Sequence, residues 1–240
     1  MRKRLLAERA VRRFLAPPVT DFWHGFESSL ERGVRGLLLV FLGLIVGWWI
    51  YVPLHELLHA AFCLLAGGSV SRLEIDALYG GHLLARVFPF VVAGGDYAGR
   101  LSGFDTGGSD LVYLATDLGP YLLTVFPGVW ALRRAGGLGR PFGFGFWLPF
   151  ALAPFLSLTG DAYEIGSILV TQLPPWQGSG VLVSDDVFRL VAELRDRQGA
   201  PWGGALLAFL AGTAWAFSTY ALGSWVARRL AAKLNLGVGL

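Results

Sequence analysis

Long runs without charged residues constrain this chain more than any other feature, and the clearest of them span residues 36–54, 141–160 and 198–227. Each provides about the 20 residues that an α-helix needs to cross a hydrocarbon core of about 30 Å. A fourth run, 111–132, contains a single acid, Asp117. Only 15% of all residues are charged, well below the usual quarter or so of a soluble domain. We therefore predict an all-α polytopic membrane protein with about four transmembrane helices.

The charged residues predict the orientation of these helices. Segments 133–140 and 228–240 contain basic residues but no acid, whereas segments 67–110 and 174–200 contain more acid than base. The positive-inside rule then places both termini in the cytosol. Richness in Gly, Ala and Arg is typical of a high-GC bacterial genome, so we expect the protein in the bacterial inner membrane. The predicted crossings are 33–66, 111–132, 142–173 and 201–228. Because the basic residues flank apolar runs instead of forming one stripe with aromatic residues, we expect the lipid bilayer as a partner and no nucleic acid.

The sequence divides into four parts on this interpretation. They are a basic cytosolic segment at 1–32, a three-helix core at 33–173 with a β insertion at about 67–110, an outer loop at 174–200 with a short amphipathic helix at 185–196, and a C-terminal transmembrane helix with a basic tail at 201–240. The insertion is predicted to be a β-hairpin, because apolar and charged residues alternate over 70–78. The turn Tyr79-Gly80-Gly81 and a second strand over 82–92 follow.

Four acids, Glu56, Asp117, Asp161 and Glu164, fall inside the predicted crossings, whereas basic residues occur only at the ends of crossings, at Arg35 and Arg228. An Asp at the middle of a membrane costs about 2.5 to 3.5 kcal/mol even on the lower scales. A bound divalent cation or a proton would neutralise these acids. Unpartnered acids at this depth therefore indicate function.

The stretch His55-Glu56-Leu57-Leu58-His59 has the HExxH pattern of zinc-dependent hydrolases. Residues four apart share one face of a helix, so both imidazoles can bind one ion. Glu56 lies on the adjoining edge, where it can accept a proton from a water molecule instead of binding the metal. We therefore predict a Zn²⁺ site with His55 and His59 as ligands and Glu56 as the catalytic base.

A catalytic zinc site commonly has a third protein ligand, and the acids of the third crossing are the candidates. Asp161 and Glu164 share a helix face and fall at a depth similar to that of the two histidines. Either could be the ligand, and Glu164 could instead hold another ligand in place. Asp117 could line the site or accept hydrogen bonds from helix-end amides near the membrane edge, and His82 could donate to the reacting carbonyl or be a surface histidine. Cys63 continues the face of the two histidines but is more typical of a small apolar residue.

The residues 36–173 resemble the site-2 protease family of intramembrane zinc metalloproteases. The resemblance depends on the HExxH pattern in an early crossing, on Gly119-Pro120 in an intervening crossing, and on Asp161 in a later one. It implies that His55, His59 and Asp161 bind zinc and that Glu56 is the base. The implied activity is cleavage of peptide bonds in or near the transmembrane segments of membrane-protein substrates.

Two other functions are compatible with the same residues. Intramembrane carboxylates and histidines also occur in transporters of protons or divalent cations, in which the ion is cargo. A proteolytically inactive relative that only binds membrane proteins is the second alternative. The HExxH spacing favours the enzyme, because a transport site does not need a base beside a ligand.

Overall fold

The computed structural model describes residues 2–233, with side chains from residue 11 onward. The chain is mostly helical, and one small sheet interrupts the helices. The helices are α1 (Arg2–Leu30), α2 (Gly33–Leu65), α3 (Gly81–Leu84), α4 (Asp110–Leu118), α5 (Val129–Gly137), α6 (Pro141–Leu156), α7 (Asp161–Val170), α8 (Val187–Arg195) and α9 (Trp202–Lys233). The strands are β1 (Ser69–Ile75), β2 (Val91–Ala93) and β3 (Gly99–Asp105). Residues 234–240 of the predicted basic tail lie outside the described residues.

Three helical stretches within residues 2–233 are long and apolar enough to cross a membrane, namely Gly33–Leu65, Pro141–Val170 and Trp202–Lys233. The predicted crossing at 111–132 is not one of them, because its helix is interrupted. Gly119–Tyr121 forms a 3₁₀ turn, and Phe126, before Pro127, has the extended dihedral angles φ −158° and ψ 131°. Proline lacks the amide proton that a continuing helix requires. The second stretch is also broken, at residues 157–160 between α6 and α7.

The sheet has the order β2-β1-β3 and differs from the predicted hairpin. β1 forms where the alternation predicted a strand, with Leu73 and Ile75 buried and Arg72 exposed. The next segment folds into the single helical turn α3 instead of a strand, so the chain re-enters the sheet from the same end. β2 therefore pairs with β1 in parallel, and the antiparallel partner of β1 is β3.

The chain divides into two compact units. The first contains the residues up to Gly47, Leu123–Leu156 and the residues from Ala214 onward. In this unit α2 and α6 pack with their backbones in contact, since a Cβ atom at Gly43 would overlap the Phe142 carbonyl and one at Gly145 would overlap the Val40 carbonyl. Small residues permit such close approach of helices in membranes.

A polar network also holds the first unit together. Asp21 of α1 accepts hydrogen bonds from Arg133 Nε and from the Tyr220 hydroxyl, both at 2.7 Å. Arg133 Nη2 donates in turn to Ser224 Oγ at 2.9 Å. We call these four residues the Asp21 cluster. Its single carboxylate is paired with a guanidinium, so the cluster carries its own counter-charge.

The second unit contains Trp48–Leu122 and Ser157–Thr213. In this unit the sheet packs on the second half of α2, where Leu73, Ile75 and Val91 form one buried cluster with Ala60. A second buried cluster joins α7, α8 and α9, and its residues are Tyr163, Val170, Leu182, Leu190, Leu194 and Ala208. α8 thus occupies most of the segment predicted to be a short amphipathic helix, with Leu190 and Leu194 on its buried face.

Candidate metal centre

The two histidines of the HExxH pattern lie on successive turns of α2. Their Nε2 atoms are 3.1 Å apart, and the ring planes are inclined by 82°. This arrangement follows from the helix, which places residues four apart one above the other on the same face. Both Nε2 atoms therefore point to the same place beside α2.

Asp161 is the first residue of α7 and brings a carboxylate to that place. Its Oδ2 atom lies 3.1 Å from His55 Nε2 and 3.8 Å from His59 Nε2. The break at residues 157–160 makes this possible, because it starts a new helix next to the two histidines. The Tyr121 hydroxyl and Ser157 Oγ are hydrogen-bonded at 2.7 Å at the start of this break.

Close packing against α9 fixes the position of α7. A Cβ atom at Gly166 would overlap the Ala208 carbonyl, and one at Gly212 would overlap the Ala162 carbonyl. The two backbones therefore touch at Ala162, the residue after Asp161, and at Gly166, five residues after it. The location of the carboxylate is set by this helix crossing as well as by its own rotamer.

Each histidine uses its other ring nitrogen for a second contact. The Tyr51 hydroxyl lies 2.6 Å from His55 Nδ1, and the Thr116 carbonyl oxygen lies 2.9 Å from His59 Nδ1. Since a carbonyl can only accept, His59 carries its proton on Nδ1, which leaves the Nε2 lone pair directed at the site. Partners of this kind orient histidine ligands in metal proteins.

Gly119-Pro120 explains why the Thr116 carbonyl is available. In a continuous helix it would accept from the amide of residue 120, which is proline and has no amide proton. Gly119 allows the end of α4 to approach α2, since a Cβ atom there would lie 2.8 Å from the Leu58 carbonyl oxygen and from the Phe62 ring. The dipeptide therefore both frees an acceptor and brings it to His59.

The three side chains fit a metal ion. One ligand atom from each of His55, His59 and Asp161 lies within 4.8 Å of the other two. A tetrahedral ion with bonds of about 2.0 to 2.2 Å separates its ligand atoms by about 3.3 to 3.6 Å, close to the distances of 3.1 to 3.8 Å here. Two imidazoles and one carboxylate can therefore hold a divalent metal ion with one position left open.

Glu56 lies beside His55, His59 and Asp161, which we call the metal group, without belonging to it. Its side chain packs against Gly99, the first residue of β3, where a Cβ atom would overlap Glu56 Cγ. The Leu101 backbone is a hydrogen-bond partner of the carboxylate. The start of β3 thus holds the Glu56 carboxyl next to the metal group.

The other two acids of the predicted crossings, Asp117 and Glu164, are both buried but do not belong to this group. Glu164 is 6% exposed and accepts a hydrogen bond from the Tyr113 hydroxyl. Asp117 is 3% exposed, and its Oδ2 atom has no hydrogen-bond partner among the described residues. Asp161, and not Glu164, is thus the acid adjacent to both imidazoles.

The remaining sequence candidates are not in the metal group. His82 is exposed on α3, and the buried Cys63 thiol lies 3.6 Å from the Ser69 carbonyl oxygen. Sequence reasoning missed Tyr51, Thr116, Tyr113 and Gly99. Tyr51 lies one turn before His55 on the same face and could have been found by extending that face. Thr116 contributes only its carbonyl oxygen, so the one sequence signal for this contact was Pro120, which cannot donate a helical hydrogen bond to that oxygen.

Comparison with known proteins adds no relative to this description. The chain matches no protein-family model, no curated protein and no solved structure.

Proposed function

We propose that the protein is an intramembrane zinc metalloprotease, a divergent member of the site-2 protease family, that hydrolyses peptide bonds in or near the transmembrane segments of other membrane proteins. One observation carries this proposal. His55 and His59 on one apolar helix meet Asp161 from a second, broken apolar stretch, and Glu56 lies beside them outside the ligand group. A metal that is only structural would not need a free carboxyl group at this position.

The chemistry assigned to the chain follows from the roles of these residues. When bound, a zinc ion supplies Lewis acidity, which polarises a carbonyl group and lowers the pKa of water to about 7. Glu56 accepts the proton of the attacking water and returns it to the leaving amine. Tyr51 and Thr116 keep the imidazoles in the orientation that binding requires. Glu164, held by Tyr113, contributes to the polar surroundings of Asp161.

The sheet supports a role in binding the substrate. β3 is an end strand in the order β2-β1-β3, and its first residue contacts Glu56. We propose that an extended substrate segment pairs with this edge, because hydrolysis requires a peptide carbonyl freed from helical hydrogen bonds. Substitution of Ser102 by proline should reduce cleavage of a transmembrane peptide more than cleavage of an unfolded one. Equal effects on the two substrates would exclude the pairing.

The proposal includes four crossings of the bacterial inner membrane with both termini in the cytosol. The apolar composition of 111–132 and the helical segments α4 and α5 support the fourth crossing. Reporter fusions after residue 107 and after residue 138 test it. Periplasmic activity at the first position and cytosolic activity at the second are expected, and the same side for both would remove this crossing.

Ion transport is a second candidate, and the two buried acids Asp117 and Glu164 favour it. The unpartnered Asp117 oxygen would suit a site that exchanges a proton. In that case the metal ion would be the transported cargo, and Glu56 would not be needed for transport.

Metal analysis combined with cleavage tests the proposal. The full chain purified in detergent is analysed for metal by mass spectrometry, as wild type and with His55→Ala, Asp161→Ala, Glu164→Gln and Glu56→Gln. Cleavage of a quenched fluorescent peptide with one apolar helix is followed in proteoliposomes. Glu193→Gln is the matched control for Glu56→Gln, because Glu193 is an exposed acid on α8.

We expect about one zinc per chain, lost in the His55 and Asp161 variants and retained in the Glu164 and Glu56 variants. Glu56→Gln should lower the cleavage rate by about 10² to 10⁴-fold while Glu193→Gln leaves it unchanged. Zinc without cleavage in any sample of the wild type would favour an inactive relative. Zinc flux across vesicles that survives Glu56→Gln would favour transport.

A further inference from the structure

A basic feature of the first unit contains none of the residues assigned to catalysis. It is an open cavity of about 730 Å³ where α1 meets the C-terminal part of α9. Its lining residues are Arg12, Arg13, Ala16, Pro17, Thr20 and Arg228. This volume lies within the usual range of about 300 to 1,000 Å³ for small-molecule sites.

Among the described side chains, the cavity lining contains three guanidinium groups and no acid. Among the side chains that the structure describes, from residue 11 to 233, no carboxylate pairs with Arg12, Arg13 or Arg228. Asp21, the acid next to Thr20 in the sequence, is already paired with Arg133 in the Asp21 cluster. Three positive charges that no described acid pairs with, around one open space, predict an anionic ligand.

The face of α1 next to the cavity indicates that this ligand also has an apolar part. Val11, Leu15, Val19 and Trp23 follow one another at intervals of four residues, and each is between 42% and 56% exposed. Arg12, Ala16 and Thr20 form the adjoining row, which faces the cavity. An exposed apolar row beside a basic cavity matches the two ends of an amphipathic anion.

We propose that this cavity binds the phosphate group of an anionic phospholipid, with the acyl chains along the row from Val11 to Trp23. Guanidinium groups bind phosphate oxygens in pairs of hydrogen bonds, so Arg12, Arg13 and Arg228 can surround one headgroup. A bound lipid phosphate would link α1 to the C-terminal end of α9, because it would contact Arg12 and Arg13 of α1 and Arg228 of α9.

Native mass spectrometry of the full chain in detergent tests the site, with phosphatidylglycerol and phosphatidylcholine as probes at equal mole fraction. We expect one tightly retained phosphatidylglycerol per chain and at least about tenfold weaker retention in Arg12→Gln/Arg228→Gln. Arg229→Gln is the matched control, because Arg229 stacks over Trp225, 5.3 Å from its centroid, and does not line the cavity. Its retention should stay within about twofold of wild type.

Three outcomes would overturn the proposal. An equal loss of phosphatidylglycerol retention in the control variant would show a general charge effect. Equal retention of the two lipids would show that the site does not recognise the headgroup charge. Full displacement of phosphatidylglycerol by inorganic phosphate, added as a competitor at about 10 mM, would assign the cavity to a soluble phosphate ligand. If the double variant does not fold, Arg228→Gln alone should still weaken retention by about threefold or more.

Discussion

The two buried polar groups of this protein differ in how they balance charge. In the Asp21 cluster the carboxylate is hydrogen-bonded to Arg133, so the chain itself supplies the opposite charge. In the metal group Asp161 contacts two imidazoles, and no lysine or arginine of the described residues is paired with it. The first arrangement is complete as it stands, whereas the second is suited to a cation. Charge balance therefore distinguishes a structural cluster from a binding site in one chain.

The largest expected effect is on zinc content, when the acid of each polar group, Asp161 or Asp21, is removed separately. Asp161→Ala should abolish zinc binding, because two imidazoles alone leave the ion without its only anionic ligand. Asp21→Ala should retain one zinc per chain but lower the thermal stability. Metal content and thermal unfolding in detergent measure both effects. Zinc loss in Asp21→Ala with an intact fold would contradict the distinction.

Removing the positive partner of the Asp21 cluster should be the next largest effect. Arg133→Met leaves a mostly buried carboxylate without its counter-charge, and breaking such a pair costs about 3 kcal/mol. The double variant Asp21→Asn/Arg133→Met removes both charges and should recover part of this loss. The unfolding equilibrium of the purified protein is the measurement. A double variant as unstable as the sum of the single variants would show that the pair is not coupled.

A smaller effect is expected from the contacts behind the histidines. Tyr51→Phe removes the hydroxyl partner of His55 Nδ1 and should weaken zinc binding by about 10 to 100-fold. Competition with a fluorescent chelator measures the affinity. Tyr97→Phe, an exposed tyrosine on the loop before β3, is the control and should leave the affinity unchanged. An unchanged affinity in Tyr51→Phe would mean that α2 alone orients the ring.

The smallest predicted effect concerns the contact between β3 and the base. Gly99→Ala should displace the Glu56 side chain and lower the cleavage rate by about tenfold, because misplacing a reacting group by about 1 Å can cost up to 10²-fold. Zinc content should stay at the wild-type level. Gly180→Ala is the control, since a Cβ atom there meets nothing within 4 Å. Loss of zinc in Gly99→Ala would place β3 among the supports of the metal group.

Periodic features were readable from the sequence, and features that depend on backbone interruptions were not. The long uncharged runs predicted the membrane helices, and alternation over 70–78 predicted β1. The break at Phe126 and the parallel entry of β2 depend on local dihedral angles that composition does not encode. At the site, HExxH indicated which face of α2 carries the metal ligands. The sequence left Asp161 and Glu164 open, because residues at i and i+3 share a helix face and only the start of α7 separates them.

The contact between α7 and α9 through Gly166 and Gly212 has a mechanical consequence. The carboxylate of Asp161 is positioned by the backbones of α7 and α9, which touch with no side chains between them at these glycines. Side-chain rearrangement therefore cannot adjust the spacing of the two helices there. Lateral pressure in the bilayer, or a neighbouring helix that inserts beside α9, would act directly on the distance between the acid and the two imidazoles. We therefore expect the proposed activity to vary with the thickness and tension of the membrane around this helix contact.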